Sequence, residues 1–331
     1  MTSVAILGAG AWGTALATAL DRAGHRVTLC VRRREHLAAM IASRANAAHL
    51  PGIPLPASIE LTDRWAEAIS AAPVVVVAVP SRYARSAVAP VISVTRPEAT
   101  IVSVTKGIEP DTLETMTSMI AEIAPRGTAI AAISGPGFAA EVAAGKPAAL
   151  IAAARDEEVA RRVQELFASG RLRVYRTDDV VGVELAGAVK NVIAIAAGIG
   201  DGLELGSSAR AGLITRGLAE ITRLAIEAGG RIETVAGLAG LGDLVLTCTG
   251  NLSRNRTLGL RIGRGEGIAD KDVSGASIAE GVTNAEAVKR LADRAGVEMP
   301  IVSAVYGVLY EGKAANAMVE ELLSRGLKAE Y

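Results

Sequence analysis

The sequence predicts an α/β domain built on a mostly parallel, doubly wound sheet, followed by an all-helical domain. Three observations carry this expectation. Short Val/Ile/Ala-rich runs alternate with helical stretches through the first half of the chain. A glycine-rich turn stands directly between the first such run and the first helical one. After about residue 179 the strand-like runs stop and long helical periods take over.

In order along the chain, residues 4–7 read as a buried strand, 14–23 as a helix closed by Gly24, and 26–31 as a second strand. The run VVVVAV at 74–79 is apolar on both faces and ends at Pro80. Strands at 100–104, 129–133, 148–152 and 172–175 follow, with helical segments between most of them. Continuous Val/Ile/Ala strands flanked by helices belong to a parallel sheet covered on both sides. In 208–228 the apolar residues Ile214, Leu218, Ile221 and Ala225 recur three or four apart, and Gly229-Gly230 stops the helix. Residues 257–262 read as helical, as do 285–326 with breaks at Gly296 and Pro300. The domain boundary is placed near residue 180, giving a dinucleotide-binding domain over 1–180 and a helical substrate-binding and catalytic domain over 181–331.

The length, 331 residues, suits two domains of about 150 residues each. Half the residues are hydrophobic, but there are only two Trp, five Tyr and two Phe, so the core must be aliphatic. Trp65, Tyr306 and Tyr310 read as packing residues. Lys plus Arg and Asp plus Glu are both 35; this balance argues against nucleic acid or an anionic membrane as the main partner. Cys30 and Cys248 lie far apart and read as small buried hydrophobes, too few for a disulfide framework or zinc site. His25, His36 and His49 lack metal-ligand spacing, so no metal is expected and acid–base chemistry falls to another residue type. The first 20 residues carry no side-chain charge, but no Lys or Arg precedes the apolar stretch, glycines interrupt it and no stop-transfer segment follows. A soluble, cytoplasmic protein is therefore expected.

Gly8-Ala-Gly10-Ala-Trp-Gly13 places GxGxxG after a strand and at the mouth of a helix, the setting in which the motif specifies a dinucleotide site of the Rossmann type. Gly8 allows the tight turn, Gly10 lets the backbone approach a pyrophosphate, Gly13 lets helix and strand pack closely, and the helix N-terminus offers free N–H groups. A NAD-selective site carries an acid at the end of the second strand; here the strand runs into Arg32-Arg33-Arg34. NADP(H) is therefore favoured, with Arg32 and Arg33 at the 2′-phosphate, and NAD(H) remains possible. The plainer alternative, most apt for Arg34, is a solvated helix start.

Residues 182–196 read as an almost wholly apolar helix that nevertheless carries Lys190 and Asn191. An unpaired buried ammonium is costly, so Lys190 either snorkels to the surface or faces a cleft. In a cleft, a lysine with a movable pKa can give or take a proton at a carbonyl oxygen. Asp243 follows a glycine-rich turn and can accept hydrogen bonds from substrate hydroxyls. Ser253-Arg-Asn-Arg256 offers a hydroxyl cap, an amide and two guanidiniums before a helix, which is equipment for a phosphate or, equally, a capped surface helix.

GAGAWGTALA, HLPGIPLP, VTKGIEP, ISGPGFAAEV, GVELAGAVKNVIAIAAG, GLGDLVLTCTGNLSRNR and AEGVTNA occur in this order. Together they resemble the bacterial NAD(P)-dependent glycerol-3-phosphate dehydrogenase family over nearly the whole chain. The resemblance implies a Rossmann domain plus a helical domain, and interconversion of dihydroxyacetone phosphate and sn-glycerol 3-phosphate for glycerophospholipid synthesis. It also implies a homodimer. It makes Lys190 the proton donor and acceptor, and Lys106 a contact to both cofactor and substrate. It puts Gly135, Gly137, Asp243, Ser253, Arg254 and Asn255 at the substrate, with Arg254 also reaching the cofactor. Ala11, Trp12, Arg32, Arg33, Ala139, Ile278 and Glu280 become cofactor contacts. Three positions depart from the family pattern: Gly137 where Ser or Thr is frequent, Ala11 where Ser is usual, and Ile278 where Val is frequent. Two rivals stand beside this reading: a two-domain dehydrogenase of 3-hydroxy or sugar acids, and a non-enzymatic NADP(H) sensor, which would need no buried Lys190.

Overall fold

The computed structural model describes residues 1–267, 279–327 and 329. Eight strands form one sheet: β1 (Ser3–Leu7), β2 (Arg26–Cys30), β3 (Glu60–Thr62), β4 (Val74–Val77), β5 (Thr100–Ser103), β6 (Ala129–Ser134), β7 (Ala148–Ala153) and β8 (Leu172–Thr177). Their spatial order is β3-β2-β1-β4-β5-β6-β7-β8. Six run parallel; β7 turns antiparallel against β6, and β8 runs parallel to β7. The order reverses at β1, where β2 lies on one side and β4 on the other, and that switch point is where doubly wound sheets bind ligands. Strand β3 escapes the sequence reading because three residues are too few to show a period.

Helices cover both faces. Leu16 and Leu20 of α1 (Ala11–Arg22), Met40 of α2 (Arg34–Ser43), and Val159, Val163 and Phe167 of α7 (Glu157–Phe167) pack with Val4, Ile6 and Val76. On the other face lie Trp65 and Ile69 of α3 (Trp65–Ala71), Val88 and Ile92 of α4 (Ser81–Ile92) and Met116 and Ile120 of α5 (Met116–Ile123), against Val75, Val77 and Ile101. A short α6 (Ala139–Ala143) lies along α1. Strands apolar on both sides are thus buried on both sides, as their sequence requires.

After Thr177 the chain is helical: α8 (Val180–Gly202), α9 (Gly206–Glu227), α10 (Ile232–Ala236), a π-helical turn (Leu238–Gly242), α11 (Asp243–Thr249), α12 (Arg254–Gly263), α13 (Glu280–Ala295), α14 (Pro300–Tyr310) and α15 (Ala315–Leu323). Helix α8 is the axis of this part. It is long and apolar enough to span a bilayer, with mean hydropathy 1.7, yet 89% of that stretch is buried inside the protein. It is a core helix, apolar all round because neighbours surround it. Asp179 caps its start by accepting from the Gly182 N–H at 2.8 Å.

Two contacts fix the height and tilt of α8. Glu184, fully buried, accepts from the N–H (2.9 Å) and the hydroxyl of Thr117 at the start of α5, so α8 is pinned to the sheet-bearing half. Further along its length α8 meets α12 backbone to backbone. A Cβ on Gly198 would lie 2.1 Å from the Arg256 carbonyl oxygen, and one on Gly259 would lie 2.0 Å from that of Ile195. Only glycines permit so close a crossing.

Candidate active site

The turn between β1 and α1 takes the shape its glycines allow. Gly8 has φ +109°, and a Cβ there would meet the Ala78 carbonyl oxygen at 2.6 Å. A Cβ on Gly13 would lie 2.1 Å from the Gly8 oxygen, whereas Gly10 faces open space. Helix α1 begins at Ala11 without a side-chain cap, and its first turn of N–H groups stands open to a ligand. Arg32 and Arg33 are exposed just beyond β2, and their side chains make no hydrogen bond or ion pair among the described residues. Arg34 instead reaches Asp63 at 3.3 Å. Arg32 also borders a cavity of about 470 Å³ shared with Arg64, Trp65 and Ser86. A clash-limited cradle at Gly8 and Gly13, with open room at Gly10 and two exposed guanidiniums beyond β2, fits a dinucleotide.

Trp12, in the first turn of α1, connects this turn to the second cluster. Its indole nitrogen is buried without a hydrogen-bond partner among the described residues. The Lys106 Nζ lies 5.9 Å from the centre of its ring. Lys106 follows β5 and donates to the Gly135 carbonyl at 2.9 Å and to Asp243 Oδ2 at 2.6 Å. Gly135 itself has φ +113°, and a Cβ on Gly137 would press on Trp12 at 3.2 Å. Ala139 opens α6 and packs in the same small cluster as Ala11 and Trp12.

Lys190 neither snorkels to the surface nor stands alone. Its Nζ lies 3.2 Å from Asp243 Oδ1 and donates to the Thr247 hydroxyl at 2.8 Å. That hydroxyl in turn donates to the Asp243 carbonyl at 2.6 Å, which orients its lone pair toward the amine. The Lys190 side chain is only 7% exposed. Burial pulls its pKa down from 10.5 to about 8; the Asp243 carboxylate opposes that pull, and the like charge of Lys106 adds to it. For Asp243 burial works toward a higher pKa, but the two flanking ammoniums outweigh it and hold the group below its ordinary value. One carboxylate therefore bridges two ammoniums. The Asp243 oxygens, expected from sequence to face substrate hydroxyls, are here each met by a lysine.

The π-helical turn before α11 sets Asp243 at the start of that helix, a device common near functional sites. Ser253 is the N-cap of α12, accepting from the Arg256 N–H at 3.2 Å, so the helix starts at Arg254, three residues earlier than its sequence pattern suggests. Arg254 is exposed and unengaged among the described residues. Arg256 is consumed by Asp201, with its Nη2 at 2.7 Å and its Nε at 2.8 Å from Oδ2, so one guanidinium rather than two remains for a ligand. Asn255 donates to Asn191 Oδ1 at 2.8 Å and accepts from the Gly281 N–H at 2.9 Å, joining α12, α8 and the start of α13 beside Glu280. Ile278 lies outside the described residues.

Thr247, Asn46 and Asn284 went unremarked in the sequence reading. Asn284, fully buried, donates to the carbonyls of Lys106 (3.0 Å) and Ala188 (3.2 Å), tying both lysine-bearing segments to α13. The available signal is a polar residue inside an apolar helical period, which marks burial but not a partner.

A dinucleotide cradle at the sheet's switch point, with a buried lysine pair across from it, defines a nicotinamide-dependent oxidoreductase. The comparisons with known proteins agree. Residues 3–160 match the family described as NAD-dependent glycerol-3-phosphate dehydrogenase N-terminus, and residues 179–320 match its C-terminus. The glycerol-3-phosphate dehydrogenase [NAD(P)+] of Citrifermentans bemidjiense is 50% identical over 329 residues, 99% of this chain and 98% of the relative. That of Koribacter versatilis is 49% identical over 330 residues, 98% of each. The crystal structure of glycerol-3-phosphate dehydrogenase from Coxiella burnetii superimposes with a TM-score of 0.92 at 39% identity, covering 98% of this chain and 99% of that one. The chain belongs to the NAD-dependent glycerol-3-phosphate dehydrogenase family.

Proposed function

We propose that the chain interconverts dihydroxyacetone phosphate and sn-glycerol 3-phosphate, supplying the latter for glycerophospholipid synthesis, with Lys190 as the proton-transfer group. The observation that carries this reading is a buried ammonium, held by Asp243 and Thr247, with a pKa brought near neutrality. When bound, the nicotinamide supplies a hydride to the substrate C2 or removes one from it. Lys190, as an ammonium, gives a proton to the oxygen that gains negative charge at C2, and in the reverse direction takes it back as an amine. Asp243 keeps the two amines from repelling each other and orients both. Lys106, with the Gly135 and Gly137 backbone, lines the substrate side. Ser253, Arg254 and Asn255 at the start of α12 hold the phosphate, whose binding energy orients C2.

Gly8, Gly10, Ala11, Trp12 and Gly13 hold the dinucleotide, with Lys106, Ala139, Arg254 and Glu280 contributing. NADP(H) is favoured over NAD(H) because Arg32 and Arg33 stand unengaged where an acid would read the ribose. The division into 1–180 and 181–331 is supported by the end of the sheet at Thr177 and the start of α8 at Val180. A cytoplasmic setting is supported by two free cysteines, the state a reducing compartment maintains. A homodimer is supported by the exposed Leu205, Ile226 and Leu323 around a groove of about 1340 Å³ that none of the site residues lines. The test is spectrophotometric: loss of NADPH absorbance on adding dihydroxyacetone phosphate is expected, and no loss would refute the reading.

A further inference from the structure

We propose that Asn46 is a positioning residue for dinucleotide binding, acting through the Ala9–Gly10 peptide. Asn46 lies in the connection after α2, far from the glycine turn in sequence, and is fully buried. Its amide nitrogen donates to the Ala9 carbonyl at 2.9 Å and to the Thr14 hydroxyl at 2.8 Å. Both targets belong to the segment that opens α1. Its side-chain oxygen is engaged as well, meeting the His36 Nε2 at 2.9 Å and accepting from the His49 N–H at 3.3 Å. The Asn46 carbonyl accepts from the N–H groups of His49 (3.2 Å) and Leu50 (2.7 Å). The side chain is therefore held from behind by α2 and its own turn, and pushes forward on the cradle.

The consequence follows from peptide geometry. In a trans peptide the C=O and the following N–H point in opposite directions. Drawing the Ala9 oxygen inward to Asn46 turns the Gly10 N–H away from Asn46, at the uncapped start of α1. Gly10 has the conformational freedom to rotate that peptide either way, so something outside the turn must choose. Asn46 chooses the direction that suits an anion, and the contact to Thr14 fixes the first turn of α1 in the same orientation.

This rests on the reading of the glycine turn as a dinucleotide site, and the experiment separates the two. NADPH binding to wild type, Asn46→Ala and Asn46→Asp is measured by fluorescence titration and by the shift in melting temperature, with steady-state kinetics alongside. Asp keeps the volume and can accept from both His36 and the His49 N–H, but has no donor for Ala9 or Thr14. Both variants are expected to weaken NADPH by about tenfold, the effect of one or two lost hydrogen bonds. The kcat at saturating NADPH and the KM for dihydroxyacetone phosphate should stay within about twofold of wild type, since the anchor acts on binding alone. A purely space-filling role predicts that Asp restores binding while Ala does not, and that result overturns the proposal. So does a folded Asn46→Ala with wild-type affinity. If neither variant folds, Thr14→Val removes one of the two contacts and should weaken NADPH by about threefold; unchanged affinity there counts against the proposal. Should wild type bind NADPH but leave dihydroxyacetone phosphate untouched, the substrate assignment fails while the titrations still decide the role of Asn46.

Discussion

Lys190 is useful because opposing influences nearly cancel on one nitrogen. Burial lowers its pKa to about 8, and Asp243 stops it falling further, so the amine is mostly charged near neutral pH yet close to releasing its proton. The reductive kcat is therefore expected to be flat at low pH and to fall as pH rises through about 8, where the donor is lost; the oxidative rate should rise over the same range. Lys190→Ala should cut turnover by about a hundredfold or more while NADPH titrations stay near wild type. Retained turnover would remove it from the chemistry. At the other end of the site, Arg32→Asp should weaken NADPH more than NADH, and equal losses measured by titration would show that Arg32 does not read the 2′-phosphate. The sequence pointed to Lys190 through its apolar surroundings, but Thr247 was invisible there because a threonine on a helix has many ordinary uses.

Among the elements, the crossing of α8 and α12 sets the start of α12, where Asn255 donates to Asn191 of α8. A Cβ on Gly259 would meet backbone rather than a movable side chain. Gly259→Ala should thus force the helices apart, lower stability by about 1–3 kcal/mol in thermal or denaturant melts, and raise the KM for dihydroxyacetone phosphate more than that for NADPH. The strand and helix pattern of both halves was readable from hydrophobic period, since burial on one or two faces writes itself into composition. The antiparallel turn at β7 was not readable, because a strand buried on both sides has the same sequence whichever way it runs. Asn46 and Asn284 were unreadable for a related reason: each acts on a backbone carbonyl, Ala9 in one case and Lys106 and Ala188 in the other, and carbonyls leave no trace in side-chain spacing.

Across the whole molecule, a second buried acid shows how the helical part responds to pH. Glu220 on α9 accepts from the N–H groups of Ile301 (2.7 Å) and Val302 (3.2 Å) at the start of α14, and burial raises its pKa from 4.5 to about 7. A carboxyl that holds its proton more tightly folded than unfolded contributes stability that is complete below 4.5 and lost as pH passes about 7. Melting curves of wild type and Glu220→Gln across that interval should show a steeper decline with rising pH in wild type. The reversal of β7 and β8 has a larger consequence. These strands run against the first six, yet the register from Thr177 through Ala153, Ala132, Ser103 and Val77 to Leu7 brings the chain off the sheet level with the cofactor turn, at the β8 edge, and α8 then presents its amine to Asp243. Ten residues separate Val180 from Lys190, about 15 Å of rise. On that stretch Glu184 is clamped to α5, and beyond Lys190 the glycines Gly198 and Gly202 mesh with α12. Adding one residue between Glu184 and Lys190 would turn the amine, together with Gly198 and Gly202, about 100° around the axis relative to Glu184, so the clamp to α5 and the crossing with α12 could not both be kept. The screw pitch of a single rod thus acts as the gauge that sets where the amine stands, and lengthening it should lower turnover and melting temperature together.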